Sequence, residues 1–495
     1  MKRPPLHAGL IPEFLLNEYG AVDTLAQELK SFHDAVLQWT AIFRMNQIVP
    51  GTLVISLLKS YAEWMAIDTA LLRCGSVHVP FQHYAEVRKA MQYFDDYKLL
   101  LDDSLIENKS LFPSDIWWMS DLRTSCSRHL KPDITLTYAA DISPDSPAMV
   151  VFTYDNHGTE QPFVITHSNL IETAFAAGIE LPLQPGDVYL SMLPLSKMYG
   201  RISLMTHQLR GCRLQFAGQM LLPASIIQQS NAASVAVVPA HLQYPVKVYA
   251  GLKKYIPNRS HVYLNDLPSE AFSEVFGKEL RMLICGGAML PAYLSDLFHQ
   301  SNIFLAEGYG LTQTTGVFTM NTPALYKKGS QGKAIAGMEL CVSDDGEIFA
   351  RGNGICSGIM QSDGSVFPAV NAEGWLATGD EGYLDEAGFL YITGNRKPQL
   401  KLANGYYYDP RIDENDISEK LQSASMLCRD DAGNIHALSV KETLSDAEKS
   451  FLEHFKIRIF ALSLSSVSLV KSLPLKRPYV FTPLSDAIFL RRQNM

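Results

Sequence analysis

The sequence predicts an α/β protein in two parts. A large N-terminal domain of parallel-rich sheets flanked by helices spans residues 1–394, and a small α+β C-terminal domain spans 395–495. Three stretches predict this. Residues 52–58 (TLVISLL) form an unbroken apolar run of the kind a parallel sheet buries on both faces; 61–72 has helical spacing, Cys74-Gly75 stops it, and 76–80 (SVHVP) is a second apolar run. Strand, helix and strand in that order make a βαβ unit. Residues 280–285 (LRMLIC) repeat the buried-strand pattern and end in Gly286-Gly287-Ala288, while 303–305 lead to Glu307-Gly308-Tyr309-Gly310. In 373–395, Gly379-Asp380 and Asp385-Glu386-Ala387-Gly388 read as turns between runs of strand period, which is a hairpin. Directly after it, 394–398 (GNRKP) breaks the strand pattern and marks a joint. Beyond the joint the chain has its own rhythm of strand (435–440), helix (447–460) and strand (466–470).

Composition bounds what these elements can do. A chain of 495 residues with 47% hydrophobic and 19% charged residues can bury more than one core. No apolar run reaches eighteen residues, and the opening MKRPPLHAGLIPEFLLNEYG meets Pro, His and Glu before any adequate apolar core, so neither a membrane span nor a signal segment is expected and a cytoplasmic protein is. The seven cysteines (74, 126, 212, 285, 341, 356, 428) form no C-x-x-C pair and read as reduced core residues. A net charge of −9 argues against nucleic acid as the main partner. The charge is unevenly spread: 395–495 holds 15 Lys and Arg against 12 Asp and Glu, so the C-terminal part is basic and the body acidic.

Between the βαβ unit and residue 135 the sequence gives helix, strand and an acidic loop (Asp95-Asp96, Asp102-Asp103) with no legible chemistry. Residues 146–170 (SPAMVVFTYDNHGTEQPFVITHSNL) are two apolar runs around a polar turn. Farther on, Leu193-Pro194-Leu195-Ser196-Lys197-Met198-Tyr199-Gly200-Arg201 opens a helix; Phe175 to Leu183 and Ile202 to Leu209 are apolar and expected to be core rather than ligand wall. In a parallel sheet, ligands sit beyond the carboxyl ends of strands, where glycine lets a flat ring lie against backbone, and the turns at 286–288 and 308–310 occupy such ends.

The stretch EGWLATGDEGYLDEAGFLYITGNRKPQLKLANG carries a specific resemblance. Gly374, Trp375, Thr378, Gly379, Asp380, Gly382, Tyr383, Asp385, Gly388, Gly394, Lys397, Asn404 and Gly405 match, without a gap, the end of the large domain and the hinge of the adenylate-forming superfamily. That superfamily includes AMP-binding acyl-CoA synthetases, luciferases and peptide-synthetase adenylation domains; the fatty-acid CoA ligases are closest in flavour. The resemblance extends over about residues 15–485. It implies a β-barrel-like subdomain in the large domain and a C-terminal lid. It also implies a reaction in which a small-molecule carboxylate and MgATP give acyl-AMP and pyrophosphate, followed by transfer to the thiol of CoA or an acyl carrier protein.

Carried over position by position, the resemblance places Gly286, Gly287, Ala288, Gly308, Tyr309, Gly310 and Thr312 around the adenine and α-phosphate, and Asp380 on the ribose hydroxyls. Lys197 and Tyr199 would border the acyl pocket, with Lys197 where the family has His. The family's phosphate loop corresponds to Thr153, Tyr154, Asp155, Asn156, His157, Gly158 and Gln161, and here the pattern departs. A triphosphate loop needs small residues, hydroxyls and a cation, whereas this one carries Asp155 and Glu160. A carboxylate about 4 Å from a phosphate charge costs about 4 kcal/mol at an effective dielectric of about 20, roughly a thousandfold in affinity. The segment also reads as a plain turn between two strands, the hairpin kept without its ligand. Gln313 stands where the family's Glu holds Mg²⁺, and an uncharged amide is a weaker ligand for a hard cation. At the hinge the family's Arg is Asn395, with Arg396 within reach of the same space, and Pro398 replaces the residue about which the lid turns. The family's final lysine aligns with Val480; Lys476 or Arg477 would serve only in a shifted register. Thr312 and Lys476 are the catalytic candidates. Three readings stay open: a divergent ligase using ATP, a catalytically inactive relative that binds an acyl or adenylate ligand or a partner protein, and a ligase whose cations come from a partner.

Overall fold

The computed structural model describes most residues from Arg3 to Leu469. Outside the description lie 130–141, 155–159, 218–223, 243–275, 397–399, 402–406, 430–433, 470–495 and shorter stretches, notably parts of 1–22, 107–115 and 291–302. The βαβ unit is present. Strand Leu53–Leu57 pairs in parallel with Val77–Phe81, Val54 opposite His78, and helix Tyr61–Arg73 connects them. The second strand is buried throughout, as an apolar run without alternation requires. Gly75 ends the helix at φ +73°, a conformation that glycine adopts without a Cβ penalty.

These two strands lie inside an eight-stranded sheet. Its order is Val366–Phe367, Gly358–Met360, Glu160–Thr166, Pro147–Tyr154, Val77–Phe81, Leu53–Leu57, Lys98–Leu101 and Trp117–Trp118. A seven-stranded sheet follows, with Lys333–Ala334 and Thr319–Met320 antiparallel at one edge. The other five strands, Phe304–Tyr309, Met282–Cys285, Ser234–Val237, Val188–Ser191 and Arg213–Phe216, are parallel. The motif Thr166-His167-Ser168-Asn169-Leu170 turns out to be structural. Thr166 Oγ1 accepts from the Asn169 amide at 3.1 Å while Asn169 Oδ1 accepts from the Thr166 amide at 3.0 Å, a reciprocal cap on helix His167–Glu180. The Asn169 amide nitrogen donates to the Asn353 and Ile355 carbonyls, pinning that helix to the next subdomain.

A four-stranded antiparallel sheet, Met338–Val342, Glu347–Gly352, Leu376–Leu384 and Leu390–Asn395, forms the half-barrel. Its last two strands are the expected hairpin, and Asp385 holds the turn by accepting from the amides of Ala387 and Phe389, both at 2.9 Å. Gly379-Asp380 is not a turn, as the sequence suggested. Both lie within a continuous strand, Gly379 at φ +73°, where pairing with Glu347–Gly352 steps from Phe349 opposite Ala377 to Glu347 opposite Glu381; the glycine marks a bulge. After the hairpin, strands Ser425–Arg429, Ile435–Ser439, Leu462–Leu469 and Lys456–Ile457 form a separate sheet. Together with helices Arg411–Leu421 and Asp446–His454 they pack around an apolar cluster that includes Leu400, Tyr408, Ile417 and Leu427. The second helix is shorter than the expected 447–460: it ends at His454, and Lys456–Ile457 turns back as an edge strand.

Among the described residues no helix is long and apolar enough to cross a membrane. The six described cysteines are free, and all but Cys341 are buried.

Candidate active site

Two strand ends and one helix make the site. Strands Met282–Cys285 and Phe304–Tyr309 are parallel neighbours, Cys285 opposite Glu307, so the Gly286-Gly287 turn leaves the sheet beside the end of the longer strand. The expected turn at 308–310 is corrected there: Gly308 and Tyr309 are still strand, paired with Met320 and Thr319, and only Gly310 stands beyond it. Little room is left at either end for a side chain. A Cβ on Gly310 would stand 2.4 Å from the Gly316 carbonyl, and one on Gly286 3.3 Å from Cζ of Tyr199, whose ring covers the turn. Tyr199 is fixed there because its hydroxyl donates to the Ile284 carbonyl at 2.8 Å, with the Val237 carbonyl 3.2 Å away.

Tyr199 belongs to helix Met198–Leu209, one wall of a cavity. From this helix Ile202, Ser203, Thr206 and His207 face the cavity; Ala177 and Leu181 close the far side, and Gly286, Gly287 and Gly308 the near side. The expectation that Phe175 to Leu183 and Ile202 to Leu209 serve only as core is therefore corrected: both segments bury one face and line a pocket with the other. Sequence reasoning passed over Ser203, Thr206 and His207, although their i, i+3, i+4 spacing puts three polar groups on one face of an otherwise apolar helix. His207 is fully buried and stacks on Tyr189 at 3.7 Å. Burial lowers its pKa to about 4, more than the Ser203 carbonyl raises it, so the imidazole is neutral.

Of the predicted acyl-pocket pair, Tyr199 lines the cavity and Lys197 does not. Lys197 sits at the N-cap of the helix and forms an ion pair with Glu86 at 3.1 Å. Glu86 also accepts from the backbone amides of Gln82 and His83, and although burial alone would raise its pKa, Lys197 and those amides hold it below the ordinary carboxylate value.

Asp380 is buried, and it accepts a hydrogen bond from the Tyr309 hydroxyl at 2.6 Å. That bond ties the second sheet to the half-barrel sheet. A carboxylate has about four lone-pair sites, so acceptor capacity for a vicinal diol remains. Gln313 is buried within the short 3₁₀ turn Thr312–Thr314, which also contains the candidate Thr312. An amide and hydroxyls offer neutral oxygen donors and no anionic one, so Gln313 is a weaker ligand for a hard dication than a carboxylate in its place. Arg396 spends its guanidinium elsewhere, reaching Glu347 and Glu381 at 3.1 Å and Asp345 at 2.9 Å.

The degenerate phosphate loop keeps its hairpin frame. Strands Pro147–Tyr154 and Glu160–Thr166 are antiparallel, with Thr153 opposite Gln161. Asp155, Asn156, His157 and Gly158 lie outside the described residues, as do the Tyr154 side chain, Pro398, Lys476 and Arg477. Glu160 pairs with Lys89 at 2.9 Å, so one of the two loop acids is compensated by a cation 71 residues earlier, which the sequence could not reveal.

A second constellation has the spacing of a nucleophile, base and acid. Ser56 Oγ is 2.7 Å from His78 Nε2, and His78 Nδ1 is 2.6 Å from Asp68 Oδ1. All three are buried, Ser56 and His78 at 0% exposure, and none lines the cavity. Asp68 is 2.6 Å from the buried Arg201 guanidinium as well. The group is a core network and not a reaction centre, because no substrate reaches it.

Parallel strands ending at glycines, an apolar cavity against those ends and a half-barrel carrying Asp380 make the scaffold of an adenylate-forming enzyme. The chain belongs to the AMP-binding enzyme family, whose profile matches residues 29–360. It is 23% identical over 415 residues to the long-chain-fatty-acid–CoA ligase FadD15 of Mycobacterium tuberculosis, covering 74% of this chain and 69% of that protein. It is 23% identical over 423 residues to the 2-succinylbenzoate–CoA ligase of Bacillus cytotoxicus, covering 82% of each. Among solved structures, the o-succinylbenzoate CoA synthetase (MenE) of Bacillus subtilis superposes with a TM-score of 0.66 at 19% identity over 90% of each chain. A fatty acyl CoA synthetase of Mycobacterium tuberculosis gives 0.65 at 19% over 95% of each.

Proposed function

We propose that the protein holds an apolar acyl or aryl carboxylic acid beside an adenylate, on an AMP-forming acid–thiol ligase scaffold whose magnesium-dependent activation step is impaired. In this reading the cavity takes the acid, the Gly286-Gly287 turn and Gly308-Tyr309-Gly310 take the adenine, and Asp380 takes the ribose. Residues 395–495 act as the lid, and the thiol of CoA or a carrier protein is the acceptor. The observation that carries the reading is that one cavity is lined both by helix Met198–Leu209 and by Gly286, Gly287 and Gly308 at the strand ends, the kind of concave, mostly apolar place where small molecules bind. Impairment rests on Gln313, buried and uncharged where the family's magnesium carboxylate stands. The related ligases, for long-chain fatty acids and for 2-succinylbenzoate, support that substrate class.

Thermal unfolding tests the binding half of the proposal. A non-hydrolysable aryl-sulfamoyl adenosine is expected to raise Tm by several degrees, because a ligand that binds only the folded state stabilises it by mass action, whereas MgATP alone is expected to leave Tm unchanged. No shift with any such mimic would contradict the reading.

A further inference from the structure

Two histidines fasten the segment around residue 8 to the body of the protein. The short 3₁₀ turn Ala8–Leu10 packs on helices Tyr61–Arg73 and His167–Glu180. Ala8, Ile11 and Leu15 join a buried cluster with Leu72, Ile171 and Ile202. Gly9 comes so close to the first helix that a Cβ there would stand 2.6 Å from Cα of Arg73. The rings of His7 and His167 stack at 4.1 Å, with 18° between their planes. The Gly9 amide donates to His7 Nδ1 at 3.1 Å, and the Ala8 amide donates to His167 Nδ1 at 3.3 Å. An amide N–H only donates, so each Nδ1 is a bare lone pair and each ring is neutral, with its proton on Nε2. A proton added at Nδ1 breaks that amide bond and sets donor against donor. Added to both rings, it also places two cations face to face.

The surroundings give little support to such a charge. Helix Tyr61–Arg73 brings Arg73 against His7 and Asp68 toward His167, and helix Met198–Leu209 brings Arg201 toward His167. Asp68 is already shared by Arg201 and His78. Glu172, on the helix that His167 begins, is paired with Arg3. Burial, with Arg73 beside it, lowers the His7 pKa to about 4; burial, with His7 and Arg201, lowers that of His167 to about 3.

We propose that the segment Arg3–Leu15 is an acid-released strap, held against the two helices while the paired histidines are neutral and freed when they take up protons. The buried rings need no access to solvent, because the released segment takes the protons and is thereby kept off. The docked form binds fewer protons than the released one, so docking is complete above about pH 6.5 and weakens as pH falls below it. Each ring weakens it about tenfold per pH unit, and the two together about a thousandfold between pH 6.5 and 5.0. Ile202 also lines the cavity, so release strips packing from behind a cavity wall.

Hydrogen–deuterium exchange of the full chain between pH 7.5 and 5.0, read by mass spectrometry and corrected for intrinsic exchange rates, tests this. Protection of residues 7–12 is expected to fall at least about a hundredfold, while strands Ser234–Val237 and Met282–Cys285 keep theirs. His7→Asn retains a capping oxygen for the Gly9 amide, and His167→Gln offers one to Ala8; neither can take a proton in this range. Each single variant is expected to halve the loss on a logarithmic scale, and the double variant to abolish it. Protection that does not change with pH, a loss shared equally by the two strands, or an undiminished loss in His7→Asn overturns the proposal. Loss already complete at pH 7.5 in both single variants overturns it too, because the rings would then hold the segment by packing alone. If His167→Gln fails to fold, the wild type and His7→Asn decide the matter.

Discussion

Burial holds the Glu307 carboxyl at a pKa of about 7, against an ordinary value of 4.5, even though Ser295 Oγ donates to it at 2.9 Å. The group stands within strand Phe304–Tyr309, one residue before Gly308, which lines the cavity. Because the folded state binds this proton more tightly than the unfolded chain, the contribution to stability is complete below about pH 4.5, declines as pH rises toward 7, and is level above. The size is about 3 kcal/mol. Urea unfolding followed across that window is expected to show Glu307→Gln gaining on the wild type as pH rises; parallel curves would remove the argument. At this scale the sequence was partly legible. Asp380 and Gln313 were found by position in a motif, but the partner of Asp380, Tyr309, and the partner of Glu160, Lys89, come from distant segments and could be seen only in three dimensions.

Elements were easier to read than their faces. The βαβ unit, the hairpin turn and the glycine-terminated strands follow from local rules, namely unbroken apolar runs, turn residues and stop signals. Which side of a helix meets a cavity follows from packing, and Ile202 to Leu209 was therefore assigned to core although Tyr199, in the first turn of the same helix, was placed at the pocket. That helix is anchored by Arg201, whose buried guanidinium meets Asp68 of helix Tyr61–Arg73; Asp68 in turn holds His78, and His78 holds Ser56 on the neighbouring strand. Burial alone would raise the Asp68 pKa, but Arg201 and His78 outweigh it and keep the carboxyl ionised. Asp68→Asn leaves the Arg201 charge buried and unpaired. Loss of one partner of a buried pair costs about 3–5 kcal/mol, and chemical denaturation is expected to show a loss of that order, with the pocket helix loosened. A loss under about 1 kcal/mol would mean the network does not support the helix.

For the whole molecule, the architecture was legible because framework residues match at fixed spacing along most of the chain, and each has a physical job that the structure displays: Thr166 and Asn169 as reciprocal caps, Asp385 as a turn holder, Gly310 as a point without room for a side chain. The activation chemistry was less legible, because it depends on side chains that depart from the pattern and on charges brought together across the fold. The account holds that the acid and adenylate frame persists while metal-dependent activation is impaired. Exchange of labelled pyrophosphate into ATP, with MgATP and a panel of hydroxylated and plain aryl and fatty acids, tests this most directly. The account predicts no acid-dependent exchange above the acid-free blank. Acid-dependent exchange that also requires Mg²⁺ would contradict it.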